Sequence, residues 1–136
     1  MKRAVLLLAL TVLLGPACAR QKPTAPAAAP APPDPSYQLR MGKQVWGHYC
    51  QTCHGEAGAG DGFNAFNLDP HPRDLSAPDF QKKKSDADLR EAVTRGGSGV
   101  GLSPLMPPWG RTLSPRDVEQ VILYVRSLKK TAASPS

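Results

Sequence analysis

Apolar residues recur at helical spacing in two stretches of the chain, and the polar residues around them supply helix start and stop signals. Near the C-terminus, Val118, Val121, Ile122, Val125 and Leu128 follow the i, i+3, i+4, i+7 pattern and offer one face for packing. Ser114 precedes this stripe as an N-cap and Pro115 takes the first helical position. Asp117 and Glu119 sit near the positive end of the helix dipole, Lys129 and Lys130 near the other end. Further upstream, Leu39, Gly42, Val45, Trp46 and Tyr49 fall on one side of a helix that starts near Leu39 and runs into Cys50. A middle helix opens at Ser85, with Asp88 in the capping-box position, and ends at Gly96-Gly97. No stretch alternates as a strand, so the pattern predicts an all-α fold. The connections Gly55 to Gly62 and Asp69 to Asp79 are long and turn-rich, and loops of that length in a small domain serve function or wrap a ligand.

The ends of the chain read differently. Met1-Lys2-Arg3 followed by the apolar run Ala4 to Leu14 has the proportions of a signal-peptide core and is too short for a comfortable membrane span. Two readings of its processing stand. Ala17-Cys18-Ala19 suits ordinary cleavage after Ala19, while Cys18 also sits where a bacterial lipoprotein carries its lipid. The preceding Gly15-Pro16-Ala17 departs from the usual lipoprotein box, since Leu14 is one position too far upstream. Lipidation nevertheless gives a role to a cysteine that otherwise has none. From Gln21 to Ser36 the sequence is dominated by Ala and Pro, a polyproline-type spacer that would reach on the order of 50 Å when extended. The expected organisation is a leader over 1–19, a linker over 20–36, a folded domain over 37–130 and a short tail over 131–136.

At 136 residues the chain has room for one small domain. Its formal charge is +6, of which Lys2 and Arg3 belong to the leader. Residues 37–130 hold thirteen Lys and Arg against ten Asp and Glu, a net +3. That is too mild, and too poor in base-stacking aromatics, to indicate nucleic acid. Lys82-Lys83-Lys84 is the one basic cluster, read either as a solvated surface or as a docking patch for an acidic partner.

Cys50-Gln51-Thr52-Cys53-His54 carries the chemistry. Two cysteines three apart on a helical turn share a face, where each thiol can form a thioether with a haem vinyl group, and the histidine after them is placed as the proximal iron ligand. A redox disulfide would call for a βαβ context and a zinc site for two further ligands close by, and neither is visible in the sequence. The glycine-rich Gly58-Ala59-Gly60-Asp61-Gly62 lacks the Lys and Ser or Thr of a phosphate loop and reads as turn chemistry. Met106, in a proline-flanked loop between the haem motif and the last helix, is the candidate sixth ligand. His71 is the alternative, and His48 and Met41 read as surface and packing residues.

These motifs resemble the class I monohaem cytochromes c over roughly Tyr37 to Lys130. Gly42-Lys43-Gln44-Val45-Trp46 is similar to the family's N-terminal helix, whose glycine admits the C-terminal helix, here through Tyr124. Ser103-Pro104-Leu105-Met106-Pro107-Pro108-Trp109 is similar to its distal loop. The resemblance implies a domain of about three to five helices wrapped around one covalent haem c, with Cys50, Cys53, His54 and Met106 as cofactor-binding residues and His54 and Met106 on the iron. Pro70, Pro72 or neither would supply the carbonyl that accepts from His54 Nδ1, and Trp109 is a candidate haem contact. The implied function is one-electron transfer, not catalysis, on the periplasmic or extracytoplasmic face, with redox-partner proteins of membrane respiratory or photosynthetic complexes. A haem-bearing subunit of a larger complex uses the same chemistry, and a haem enzyme or gas sensor would need a displaceable sixth ligand.

Overall fold

The computed structural model describes residues 34–130. The leader, Cys18, most of the linker and the tail lie outside the described residues. Within them are five helices and no strand: α1 Pro35–Tyr49, α2 Gln51–His54, α3 Pro78–Lys83, α4 Asp86–Gly99 and α5 Pro115–Ser127, with a 3-10 turn at Ala65–Asn67. None of these helices is long and apolar enough to cross a membrane.

Local capping fixes several boundaries. In α4, Asp88 N–H donates to Ser85 Oγ at 3.1 Å while Ser85 N–H donates to Asp88 Oδ2 at 2.8 Å. In α5, Asp117 N–H donates to Ser114 Oγ at 3.2 Å and Ser114 N–H to Asp117 Oδ2 at 3.0 Å. Two reciprocal bonds at each start satisfy amides that a helix leaves without partners. The start of α1 departs from the expectation. Asp34 is its N-cap, accepting from Ser36 N–H at 3.1 Å, and Pro35 opens the helix four residues before Leu39. Residues 35 and 36 thus belong to α1 rather than to the linker. Helix α3 overlaps the end of the expected Asp69 to Asp79 connection and continues through residues to which the sequence assigned no element, and it too begins on a proline.

The centre of the fold is the crossing of α1 and α5. At Gly42, a Cβ would overlap the backbone carbonyl of Gln120 and come within 3.1 Å of Tyr124 Cβ, so only glycine lets the two backbones approach this closely. The glycine's role is as expected; its nearest partner is Gln120, with Tyr124 one turn further on. Gln120 is buried, and its Nε2 donates to Gln38 Oε1 at 2.6 Å. Gln38 therefore occupies the inward position one turn before Gly42, and Leu39 is exposed, contrary to its place in the expected stripe. The rest of the stripe packs: Val45, Trp46, Val118, Val121, Ile122 and Val125 are buried around the crossing.

Arg126 on α5 fastens the shorter helices. Its guanidinium donates to Asp86 Oδ1 at 2.7 Å, to Gln81 O at 3.0 Å and to Lys84 O at 2.6 Å. The last two carbonyls belong to the end of α3, where helical partners run out. Gln81 Nε2 in turn donates to Val125 O at 2.9 Å and Leu75 O at 2.7 Å. Lys130 closes the domain, its N–H donating to Ser76 O at 3.1 Å and its Nζ lying 3.3 Å from Asp74 Oδ2.

Candidate haem site

The Cys50–His54 turn leaves α1 without a gap, Cys50 N–H donating to Trp46 O at 2.9 Å and His54 N–H to Cys50 O at 2.9 Å. A helix of four residues cannot satisfy its own last carbonyls. The following loop returns to do so. Gly60 N–H donates to His54 O at 2.9 Å, Gly62 N–H to Cys53 O at 3.2 Å and Asn64 N–H to Thr52 O at 2.9 Å. Gly55 to Gly62, read from sequence as turn chemistry, is thus the sleeve that holds the motif. Trp46, expected to pack, is buried and also donates from Nε1 to Gly55 O at 3.2 Å, with its ring centroid 5.9 Å from that of His54. The indole therefore fixes both the exit of the motif and the ring of its histidine.

Cys50, Cys53, His54 and Met106 line one cavity of about 530 Å³. Its apolar walls include Leu75, Phe80, Leu89, Val93, Ile122 and Val125, and charged Arg73, Lys84, Asp88 and Glu91 join the lining. Trp109 is there too, packed on Tyr49 with centroids 5.2 Å apart. His71 lines the same cavity but is exposed. It precedes Pro72 and Arg73 on the segment that lies against Gly60 and His54. His48 is exposed and, like Met41, does not line the cavity. The lysine cluster is divided: Lys83 pairs with Asp79 at 3.4 Å, Lys84 lines the cavity, and Lys82 is exposed.

The segment carrying Met106 is stitched to the end of α4. Gly97 N–H donates to Met106 O at 2.9 Å, Trp109 N–H to Val93 O at 2.9 Å and Gly110 N–H to Thr94 O at 3.1 Å. Helix α4 breaks at Gly96, where φ is 69° and ψ 178°, and a further turn follows to Gly99. The break is where the sequence placed the helix end. Its bonding to the methionine loop was not legible there, because it pairs residues nine and sixteen apart through backbone atoms alone.

The electrostatics suit a neutral ligand set. Burial pushes the Cys50 thiol up to about 12, with neighbouring Cys53 adding to the effect, so it stays protonated near neutrality. Burial also lowers the His54 pKa, opposed by the backbone of Arg73, and leaves the ring neutral, the form that binds metal. His54 Nδ1 is buried with no hydrogen-bond partner of normal geometry. The backbone that bears on it belongs to Arg73, which follows Pro72 and is neither of the prolines considered from sequence. Among the described residues no three His, Cys, Asp or Glu side chains gather as a metal-binding group, which leaves the zinc reading without ligands there. Two thiols, a neutral imidazole and a thioether around an apolar cavity fit a haem.

An all-helical domain enclosing an apolar cavity at a Cys-x-x-Cys-His turn defines a c-type cytochrome domain. A family model described as cytochrome c oxidase, cbb3-type, subunit III, matches residues 38–125, and the chain belongs to this family of c-type cytochromes. It is 29% identical over 98 residues to the cbb3-type cytochrome c oxidase subunit FixP of Azorhizobium caulinodans, a match covering 72% of this chain and 30% of that protein. It is 33% identical over 94 residues to the quinohemoprotein alcohol dehydrogenase ADH IIB of Pseudomonas putida, covering 66% of this chain and 11% of that protein. The chain thus spans less than a third of either relative. No solved structure matches it significantly.

Proposed function

We propose that this protein is a monohaem c-type cytochrome that carries single electrons between extracytoplasmic partners. The observation that carries the reading is the convergence of Cys50, Cys53, His54 and Met106 on one apolar cavity. Cys50 and Cys53 would tether haem c through thioethers, and His54 and Met106 would hold its iron. When bound, the haem supplies a one-electron change between ferric and ferrous iron. The chain's own residues do the rest. Trp46 and the glycine loop hold His54 in place, apolar walls exclude water, and the backbone bonds that Gly97 N–H donates and the Val93 and Thr94 carbonyls accept hold the methionine loop at the cavity. Met106 is preferred over His71 as sixth ligand because His71 lies on the segment that also backs His54. A thioether favours ferrous iron and so a higher potential than a second imidazole.

The location is part of the same proposal: the leader directs the domain across the membrane, and a lipid on Cys18 tethers it through the Ala/Pro linker near respiratory or photosynthetic complexes. A second reading is favoured by the relatives, one a named oxidase subunit and the other a quinohemoprotein dehydrogenase. In it the domain is the haem-bearing subunit of a larger oxidoreductase, and the site chemistry is unchanged.

The test is expression in a bacterium with haem-attachment machinery, followed by intact mass and fractionation. The expected product is heavier than the processed polypeptide by one haem and the lipid on Cys18, keeps its colour in denaturant and sediments with membranes. Cys18→Ser should release it with its spectrum intact. Loss of the haem to acid-acetone would refute covalent attachment, and a soluble product starting at Arg20 would refute the lipid.

A further inference from the structure

The feature that the haem cavity leaves unused lies on the outer side of the Cys50–His54 turn. Residues 55–70 contain three acids, Glu56, Asp61 and Asp69, and no Lys or Arg, although residues 37–130 are net basic. All three acids are exposed, and none forms an ion pair among the described residues. The same segment exposes Phe63 at 85% and Phe66 at 84%, far above any other large hydrophobic residue described. A single exposed phenylalanine needs no explanation. Phe66 lies in the 3-10 turn and Phe63 two residues before its start, and Ala65 between them is fully buried. The turn is held onto the haem motif by Asn64 N–H donating to Thr52 O, and Phe63 shares a shallow depression with Gln51, Thr52 and Glu56. Neither phenylalanine lines the haem cavity.

We propose that Phe63, Phe66 and Thr52, with the exposed acids Glu56, Asp61 and Asp69 on the same stretch of chain, form the docking surface for a redox protein with an apolar seat rimmed by Lys and Arg. This rests on the electron-carrier reading above and names the chemistry of the partner. Charge complementarity selects the occupant. Three uncompensated acids draw in a basic rim and repel acidic proteins and anionic lipid alike. Position supplies the function, since Gln51 and Thr52 lie between the two haem-attaching cysteines. A protein seated there is separated from the cofactor by a single turn of chain. A contact built from two aromatic anchors and a few exposed charges is small, so the partner can leave quickly after transfer.

The test uses the full-length haem protein, reduced, and follows its oxidation by a lysine-rich ferric mitochondrial-type cytochrome c and, separately, by neutral benzoquinone. Oxidation by the basic protein should slow as salt is added, and Glu56→Gln/Asp69→Asn should flatten that dependence. Phe63→Ser/Phe66→Ser should slow it about tenfold at every salt concentration. Both double variants should keep the parent spectrum and benzoquinone rate, which separates lost docking from lost folding. Haem-bearing variants with the parent rate and salt slope would overturn this proposal alone, whereas a protein with no haem absorbance would overturn the carrier reading with it. Two further results would assign the face to another occupant and also overturn it. One is loss of phosphatidylcholine-vesicle binding in the phenylalanine variant at an unchanged rate. The other is a self-dimer that dissociates when the acids are neutralised.

Discussion

Replacing Gly96 with alanine should loosen the methionine loop. The backbone at this position, φ 69° and ψ 178°, is open to glycine alone, and holding another residue there costs about 1–3 kcal/mol. The added Cβ would also lie 2.7 Å from Pro108 N, 2.8 Å from Met106 O and 2.9 Å from Pro107 C, well inside ordinary contact. Overpacking of this kind costs a further 1–3 kcal/mol or so. The atoms in the way belong to backbone and cannot rotate aside, so the loop must move. A total of roughly 2–6 kcal/mol should lower the melting temperature by about 10 °C or more in a domain of this size. Gly101→Ala is the control: its φ is 70°, but nothing lies within 4 Å of the new Cβ. It should show only the strain. The assay pairs a thermal melt with carbon monoxide binding to the reduced protein. Gly96→Ala should melt early and admit the gas, while Gly101→Ala should exclude it. Equal melting and equal exclusion in both variants would show that the loop is not held by this contact.

Met106→Ala should bind carbon monoxide in the reduced state and lower the midpoint potential, because a ligand favouring ferrous iron has gone; an unchanged spectrum and potential would redirect attention to His71. Arg126→Ala strips donors from Asp86 and from the carbonyls of Gln81 and Lys84, and should destabilise by about 1–3 kcal/mol in chemical denaturation, with little effect on the haem spectrum. Hydrogen bonds from Ser85 hold the Asp88 carboxyl below its ordinary value of 3.8, and a hydrogen bond from Arg90 holds Glu119 below 4.5. Depressed carboxylates contribute stability above their unfolded pKa values, and that contribution is lost as pH falls through the folded ones. Melting temperature should therefore decline below about pH 4.5, less steeply in Asp88→Asn, and a flat profile down to about pH 3 would contradict this.

Legibility from sequence followed the range of the interaction. The capping box of α4, the Ser114 N-cap of α5 and the Cys50–His54 motif are local, each residue defined by neighbours within five positions, and the two helix starts stand where the sequence put them. Helix α1 begins early because Asp34 caps it, a signal hidden by the proline-rich composition around it. Helix α3 is six residues long and has no side-chain cap, so its stability comes from Arg126 and Gln81, contacts more than forty positions apart that no local pattern carries. The inward place of Gln38 followed from the angle of the α1–α5 crossing, which apolar periodicity does not encode. In the site, residue types in the sequence point to Cys50, Cys53, His54 and Met106, which line one cavity, whereas the sleeve of amides around Thr52, Cys53 and His54 is backbone chemistry and leaves only its glycines in the sequence.

Leu89, Val121, Ile122 and Val125 serve both as protein core and as wall of the 530 Å³ cavity. At about 24 cal/mol per Å³, a hole of that size would cost on the order of 12 kcal/mol if fully enclosed. Half of that, for a space with an open rim, still rivals the whole stability of a small domain, about 5–15 kcal/mol. On the proposed haem attachment, a chain synthesised faster than haem is joined to it would therefore remain unfolded and be degraded. Steady-state abundance would then follow haem supply rather than transcription, and the surviving population would be coloured almost to the last molecule. The cell would need no separate inspection step to keep inactive copies away from the partners.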